Sequence, residues 1–467
     1  MDKSQNSITY QLEQLSKIPH NIFTMDANER SVHLDKVREH VRNAKKSVIQ
    51  AAQFEKDNID LKILDNPMST FMLAYYGVSV KDLIQDYADI YRTAFADYIN
   101  KVNMRYCCKT PYNKPYKKVL FCSGRLSSHS SVYRSTHEII NHLSQNSHFH
   151  VDLMTRFPIA DDVKASFSRC KNIYALGQIQ NNIDIIAGNR YDIIIYPDMN
   201  MDEVTSCIGL FRLAPFQVTT FGHSETSGLA DYFVTSKAYE IDAANNYTEK
   251  VVAFDSLALK YKKIEIKDII KNFTTRSYFQ IPQNCNLYYC NSSCFKMGKE
   301  MFSVFKGILD KDKDAVIALT KLGIAYWDLL FYEVFDKEME PQYKNRIKFL
   351  SRLNYWENIN LLYLSDVFIE SFPFGNMNSS LECFSTGLPV VSMPTTKING
   401  RFTYAYYAKM GLEKEYCVST IDDYINKAVE IATNKSRDKK DEIMDKSSVL
   451  FEEEQSVIDW ENFLRNL

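Results

Sequence analysis

The sequence predicts an α/β chain of two doubly wound, Rossmann-like halves behind an all-helical N-terminal domain. Short apolar runs alternate with helix-length segments in two successive series, which marks βαβ units and mainly parallel sheets. The 467 residues exceed the size at which one hydrophobic core usually stops growing, so more than one domain is expected. Residues 1–108 show helical periodicity and no convincing strand.

In chain order, the helical accessory domain 1–108 sets Val32, Val37, Val41, Ala44 and Val48 on one face, then Leu83, Tyr87, Ile90 and Phe95 on another. Segment 109–118, KTPYNKPYKK, reads as a linker from its prolines and lysines. The first α/β domain, 119–257, has strand-like runs at 119–122, 149–153, 191–196, 216–221 and 230–234. After a polar stretch near 257–284, the second, 285–435, has runs at 287–290, 315–319, 347–350, 367–369 and 389–393. Residues 436–467 are helical and are expected to cross back and brace the first lobe. No repeat of solenoid length is present.

Composition narrows the function. A hydrophobic fraction of 45% and a charged fraction of 24% are globular averages and exclude wholesale disorder. With 56 basic and 58 acidic residues, net charge −2, no basic excess points to a polyanion, so nucleic acid is not an expected partner. The ten cysteines form no paired CxxC framework and read as reduced thiols. The first residues lack an apolar signal core, and no stretch approaches 18 uninterrupted apolar residues; a cytoplasmic protein without a membrane span is expected.

Open parallel sheets bind ligands beyond the carboxyl ends of their strands. The segment after the first strand, 123–134 (SGRLSSHSSVYR), carries His129 among hydroxyls and arginines, and the absence of GxGxxG or GxxxxGK[ST] argues against a nicotinamide site or a P-loop. His129 is the first candidate for orienting or deprotonating an acceptor, because imidazole titrates near neutral pH, and His223 is the second. His223 falls in 222–228 (GHSETSG), where Gly222 opens a polar cluster suited to presenting backbone N–H groups to a ligand oxygen; the same pattern also makes ordinary turns. Segment 291–296 (NSSCFK) is expected to place Ser293 and Lys296 at a helix entrance, where an anion is favoured and the lysine adds a full charge for a diphosphate. A solvated surface lysine is the plainer alternative.

Segment 371–382 (SFPFGNMNSSLE) follows a buried strand and opens a helix. Gly375 lets a ligand approach the backbone, Asn376, Met377, Asn378 and Ser379 begin the helix with caps and amides for phosphate, and Glu382, one turn inside, can accept both hydroxyls of a ribose. A well-capped helix whose Glu382 complements its dipole is the alternative. The Asp-x-Asp spacing at 310–314 precedes a strand and so falls at the wrong sheet edge for a metal; no metal or other cofactor is expected.

Four blocks, SSHSSVYR at 127–134, RLAPFQVTTFGH at 212–223 with its SETS tail, YCNSSCFK at 289–296, and 372–394, together resemble the family that unites the protein O-linked N-acetylglucosamine transferases with the bacterial cytoplasmic N-glucosyltransferases that modify high-molecular-weight adhesins. Their order matches over roughly 119–435. FPFGN and SSHS are closer to the N-glucosyltransferases, YCN and GLPVVSMP to the N-acetylglucosamine branch, and no tetratricopeptide repeats precede them. The resemblance implies a GT-B fold and an inverting, metal-independent enzyme moving a hexose, glucose in preference to N-acetylglucosamine, from a UDP-sugar to an Asn or Ser/Thr side chain of a polypeptide such as an adhesin or other surface protein before export. It implies that Lys296 meets the diphosphate, that Asn376 and Asn378 line the pyrophosphate cradle, and that Glu382 takes the ribose position usually held by Asp. Met377 departs from a common threonine, and Arg352 stands where relatives place a histidine three residues before Tyr355, bringing a permanent charge toward phosphate. A saccharide or lipid-linked glycan acceptor, and a weakly active nucleotide-binding export partner or scaffold, are the alternatives.

Overall fold

The computed structural model describes residues 7–15, 17–18, 21–54, 69–106, 115–127, 130–156, 158–221, 225–435, 437–451 and 453–467. Two wholly parallel sheets organise them. The first is formed by β1 (Lys117–Ser123), β2 (Phe149–Arg156), β3 (Ile173–Leu176), β4 (Ile193–Tyr196), β5 (Phe216–Thr220), β6 (Tyr232–Ser236) and β7 (Lys250–Phe254), in the order β3-β2-β1-β4-β5-β6-β7. The second is formed by β8 (Asn286–Cys290), β9 (Ala315–Thr320), β10 (Ile347–Leu350), β11 (Val367–Ile369) and β12 (Val390–Val391), in the order β10-β9-β8-β11-β12. Central strands such as β4, β8 and β11 are buried at every residue, as parallel strands covered on both faces must be.

The apolar-run criterion passes over β3 and β7. Both are edge strands with mostly half-buried residues, so their composition lacks a continuous apolar run. The run at 389–393 yields only the two residues of β12, and the linker is shorter than read, because Lys117 and Lys118 already pair with β2.

The N-terminal helix Ala27–Ala51 opens with a capping box between Asp26 and Glu29 and buries Leu34, Val37, Val41, Ala44 and Val48. Val32 is 57% exposed, against the sequence expectation. Five residues before Val37, it lies about 140° around the helix from it, and Leu34 fills the stripe instead. Leu83, Tyr87 and Ile90 are buried in the helix Lys81–Ala94, with Phe95 at its end.

This helical part presses on the second sheet's ligand edge. Arg30 forks onto Glu300 at 2.9 and 3.0 Å, and the Tyr75 ring lies 4.8 Å from that of Phe374. Gly77, at φ +74°, backs onto Pro373 so closely that a Cβ would meet the proline ring. At the other end, the helix Glu454–Asn466 packs against the helix Ser131–Gln145 of the first lobe, and Trp460 Nε1 donates to the Ala258 carbonyl at 3.0 Å. Among the described residues no helix is long and apolar enough to cross a membrane.

Candidate active site

In the second sheet the strand order reverses between β8 and β11, and ligands of open parallel sheets bind at such a switch point. The chain leaving β8 is 291–296 and the chain leaving β11 is 370–378, so topology brings the two segments singled out above face to face. Lys296 Nζ lies 3.5 Å from Asn376 Oδ1 and 5.0 Å from the centre of the Phe374 ring. Lys296 is half-buried, and desolvation pulls its ammonium down to about 8, with Glu370 opposing the shift.

Lys296 does not sit at an α-helix entrance. It ends a 3-10 turn, Cys294–Lys296, and the helix proper begins at Glu300, because Gly298 N–H donates to the Phe372 carbonyl at 2.7 Å and Met297 bridges to Pro373. An anion here is met by the lysine's own charge. Ser293 precedes the turn and makes no side-chain cap.

Asn376 is buried; its N–H donates to Glu370 Oε1 at 2.7 Å and its Nδ2 to Ser292 Oγ at 3.2 Å. Glu370, which sequence reading missed, also accepts from Thr403 Oγ1, and so it fixes the turn that carries Asn376. Its signal was a lone acid inside the apolar stretch VFIESFPF. The helix Asn378–Ser385 follows Met377, and no side chain caps it, which leaves first-turn N–H groups for an anion. Asn378 Nδ2 reaches across to the Ser131 carbonyl of the first lobe at 2.9 Å.

A cleft of about 810 Å³ opens between the lobes, lined by Arg134, Asn291, Arg352, Tyr355, Ser379 and Glu382 among others. That is the size of a small-ligand site. Arg352 is exposed on the loop after β10 and lines this cleft. Glu382 is 2% exposed and pairs with Arg134 Nη1 at 2.9 Å; burial pushes its carboxyl upward while Arg134 pulls it back. Arg134, read in sequence only as part of a block, thus lines the candidate site. His129, Gly222 and His223 lie outside the described residues. In the Asp-x-Asp segment, Asp312 accepts from Asn286 Nδ2 and Tyr288 Oη, each at 2.8 Å, at the strands' amino edge.

No family profile matches the chain. The described fold is similar over 99% of this chain, and 84% of the other, to an O-GlcNAc transferase of Thermobaculum terrenum, with a TM-score of 0.66 at 15% identity. The fold is that of the GT-B glycosyltransferases. A second GT-B likeness, to Anabaena HepE in complex with UDP and glucose, covers 75% of this chain and 100% of that one at a TM-score of 0.51 and 12% identity. In sequence, the chain is 22% identical over 328 residues to a UDP-glucose:protein N-beta-glucosyltransferase of Actinobacillus pleuropneumoniae serotype 5b, covering 69% of this chain and 51% of the relative. It is 23% identical over 231 residues, 48% of this chain and 23% of the relative, to a probable UDP-N-acetylglucosamine–peptide N-acetylglucosaminyltransferase of Arabidopsis thaliana. The resemblance carried by the four blocks is thus supported on both branches, and the chain spans about half the length of the first of these relatives.

The lowered Lys296 titration beside Asn376 sets a pH dependence. If a diphosphate docks on the protonated lysine, affinity for a UDP-sugar is expected to be flat below about pH 7 and to fall about tenfold between pH 7 and 9 as the ammonium is lost. Calorimetric titration of UDP-glucose at several pH values checks it; equal affinity at pH 7 and 9 contradicts a charged contact from Lys296.

Proposed function

We propose that the chain is a UDP-sugar-dependent glycosyltransferase that moves a hexose, glucose, to an Asn or Ser/Thr side chain of a polypeptide, inverting the anomeric carbon without a metal. The observation that carries the reading is the meeting of Lys296, Asn376 and the uncapped start of the helix Asn378–Ser385 at the switch point of the second sheet. The sequence relatives, one acting from UDP-glucose on protein and one a probable UDP-N-acetylglucosamine–peptide enzyme, support the donor class and a protein acceptor.

In this reading the acceptor attacks the anomeric carbon from the face opposite the diphosphate. Charge grows on the leaving phosphate, and the Lys296 ammonium with the first-turn N–H groups after Met377 stabilises it there, aligned before reaction begins. Glu370 holds Asn376, and through it the turn, at a fixed distance from Lys296. Glu382 accepts ribose hydroxyls, and Arg352 sets a permanent charge on the cleft wall. His129 is the proposed residue for orienting the acceptor, with His223 second; an amide acceptor needs positioning more than a strong base, because an ordinary imidazole cannot fully deprotonate it.

The test is to incubate the purified protein with UDP-glucose and UDP-N-acetylglucosamine, with and without peptides bearing Asn-x-Ser/Thr or Ser/Thr, and to follow UDP release and peptide mass. A hexose-sized mass gain dependent on UDP-glucose is expected. Absence of nucleotide binding sinks the proposal, and binding without turnover points instead to a nucleotide-binding scaffold.

A further inference from the structure

Glu382, the carboxylate assigned to ribose, is already engaged from the opposite lobe. Its Oε1 receives Arg134 Nη1 at 2.9 Å and Tyr261 Oη at 3.4 Å, and its Oε2 receives Asn358 Nδ2 at 3.3 Å. Arg134 belongs to the helix Ser131–Gln145, and its guanidinium also lies over the Tyr355 ring at 5.1 Å. Beside it, Asn378 Nδ2 donates to the Ser131 carbonyl, so the starts of two helices, one from each lobe, are tied across the cleft.

We propose that Arg134 is a cross-cleft latch that competes with the nucleotide for Glu382, and that a uridine nucleotide enters by taking this carboxylate from the arginine. The inference rests on the reading of Glu382 as the ribose acceptor. A carboxylate that is 2% exposed cannot be left without a partner cheaply, so the contact releases as ribose hydroxyls replace the guanidinium rather than by opening first. Two observations make the arginine displaceable. Its Nε is buried without a partner among the described residues, so the latched guanidinium is incompletely satisfied. Arg134 also lines two cavities, the 810 Å³ cleft and a recess of about 360 Å³ that holds Asp268, the lysines Lys262 and Lys263, and Glu138, which is already joined to His137 at 3.0 Å. The guanidinium can therefore leave Glu382 for the recess, where Asp268 is a carboxylate it can turn to.

Uridine is the discriminating probe, because it is uncharged and reads competition for Glu382 without attraction between Arg134 and a diphosphate. Removing a group that competes for the carboxylate tightens the ligand it competes with. Calorimetry with Arg134→Gln is thus expected to give a uridine Kd several-fold below wild type. Arg134→Lys, which keeps a cation near Glu382, serves if the glutamine variant does not fold, and is expected to shift the Kd in the same direction by a smaller factor. A uridine Kd in these variants equal to or above wild type overturns the latch and makes Arg134 an ordinary ligand or scaffold residue. If neither wild type nor variant binds uridine or UDP, the nucleotide reading fails and the latch with it, whereas equal binding by both removes the latch alone.

Discussion

Replacing Lys296 by alanine is expected to lower kcat/KM for sugar transfer about a hundredfold, with little change in thermal stability. The kinetic loss follows from position: Lys296 is the cation at the switch point where leaving-group charge would develop, and removing one preorganised charge-stabilising group commonly costs a factor of about 10² to 10³ in rate. A hundredfold loss is about 2.7 kcal/mol of transition-state stabilisation. Stability should change little because the ammonium makes one long hydrogen bond to Asn376, at 3.5 Å, and its desolvation in the folded chain already disfavours the charged form. Steady-state kinetics with the donor varied, together with a thermal melt, separate the two effects. Wild-type kinetics in the alanine variant would remove Lys296 from the mechanism.

Replacing Lys397 by methionine is expected to have the opposite profile, a large loss of stability from a residue that sequence analysis did not single out. Lys397, 2% exposed, pairs with the buried Glu225 at 3.2 Å and also donates to Asn246 Oδ1 at 3.4 Å, both in the first lobe. The same short loop binds the N-terminal helical part through Asn399 Nδ2 and the Ala74 carbonyl, and the segment leaving β11 through the Asn399 carbonyl and Gly375 N–H. Removing one member of a buried pair leaves an uncompensated charge, at a cost of about 3–5 kcal/mol. The melting temperature of Lys397→Met should therefore fall by several degrees, and adding Glu225→Gln should restore much of it, because the stranded charge is then gone. Equal melting temperatures for wild type and the single variant would show the pair to be energetically idle.

Much of the fold was legible because buried parallel strands advertise themselves. The runs at 287–290 and 367–369 fall on β8 and β11, since strands covered on both faces need unbroken apolar residues. Edge strands carry no such demand, and β3 and β7 went unread for that reason. In the site, Lys296 and Asn376 were legible as chemistry after strand ends. Glu370 and Arg134 were not, because a glutamate at the end of an apolar strand and an arginine in a helix acquire meaning only from what stands opposite them.

Local sequence patterns set the class of the chain and marked the polar segments after β8 and β11, because periodicity and glycine, lysine and asparagine placement are local properties. How those segments are arranged came from tertiary packing. It drew Gly298 to Phe372, so that Lys296 ends a 3-10 turn instead of opening an α-helix, and it set Arg134 and Lys397 against carboxylates of the opposite lobe. A charge pair across 248 positions of chain, as between Arg134 and Glu382, follows from how two sheets dock and leaves no spacing for a reader of the sequence to find.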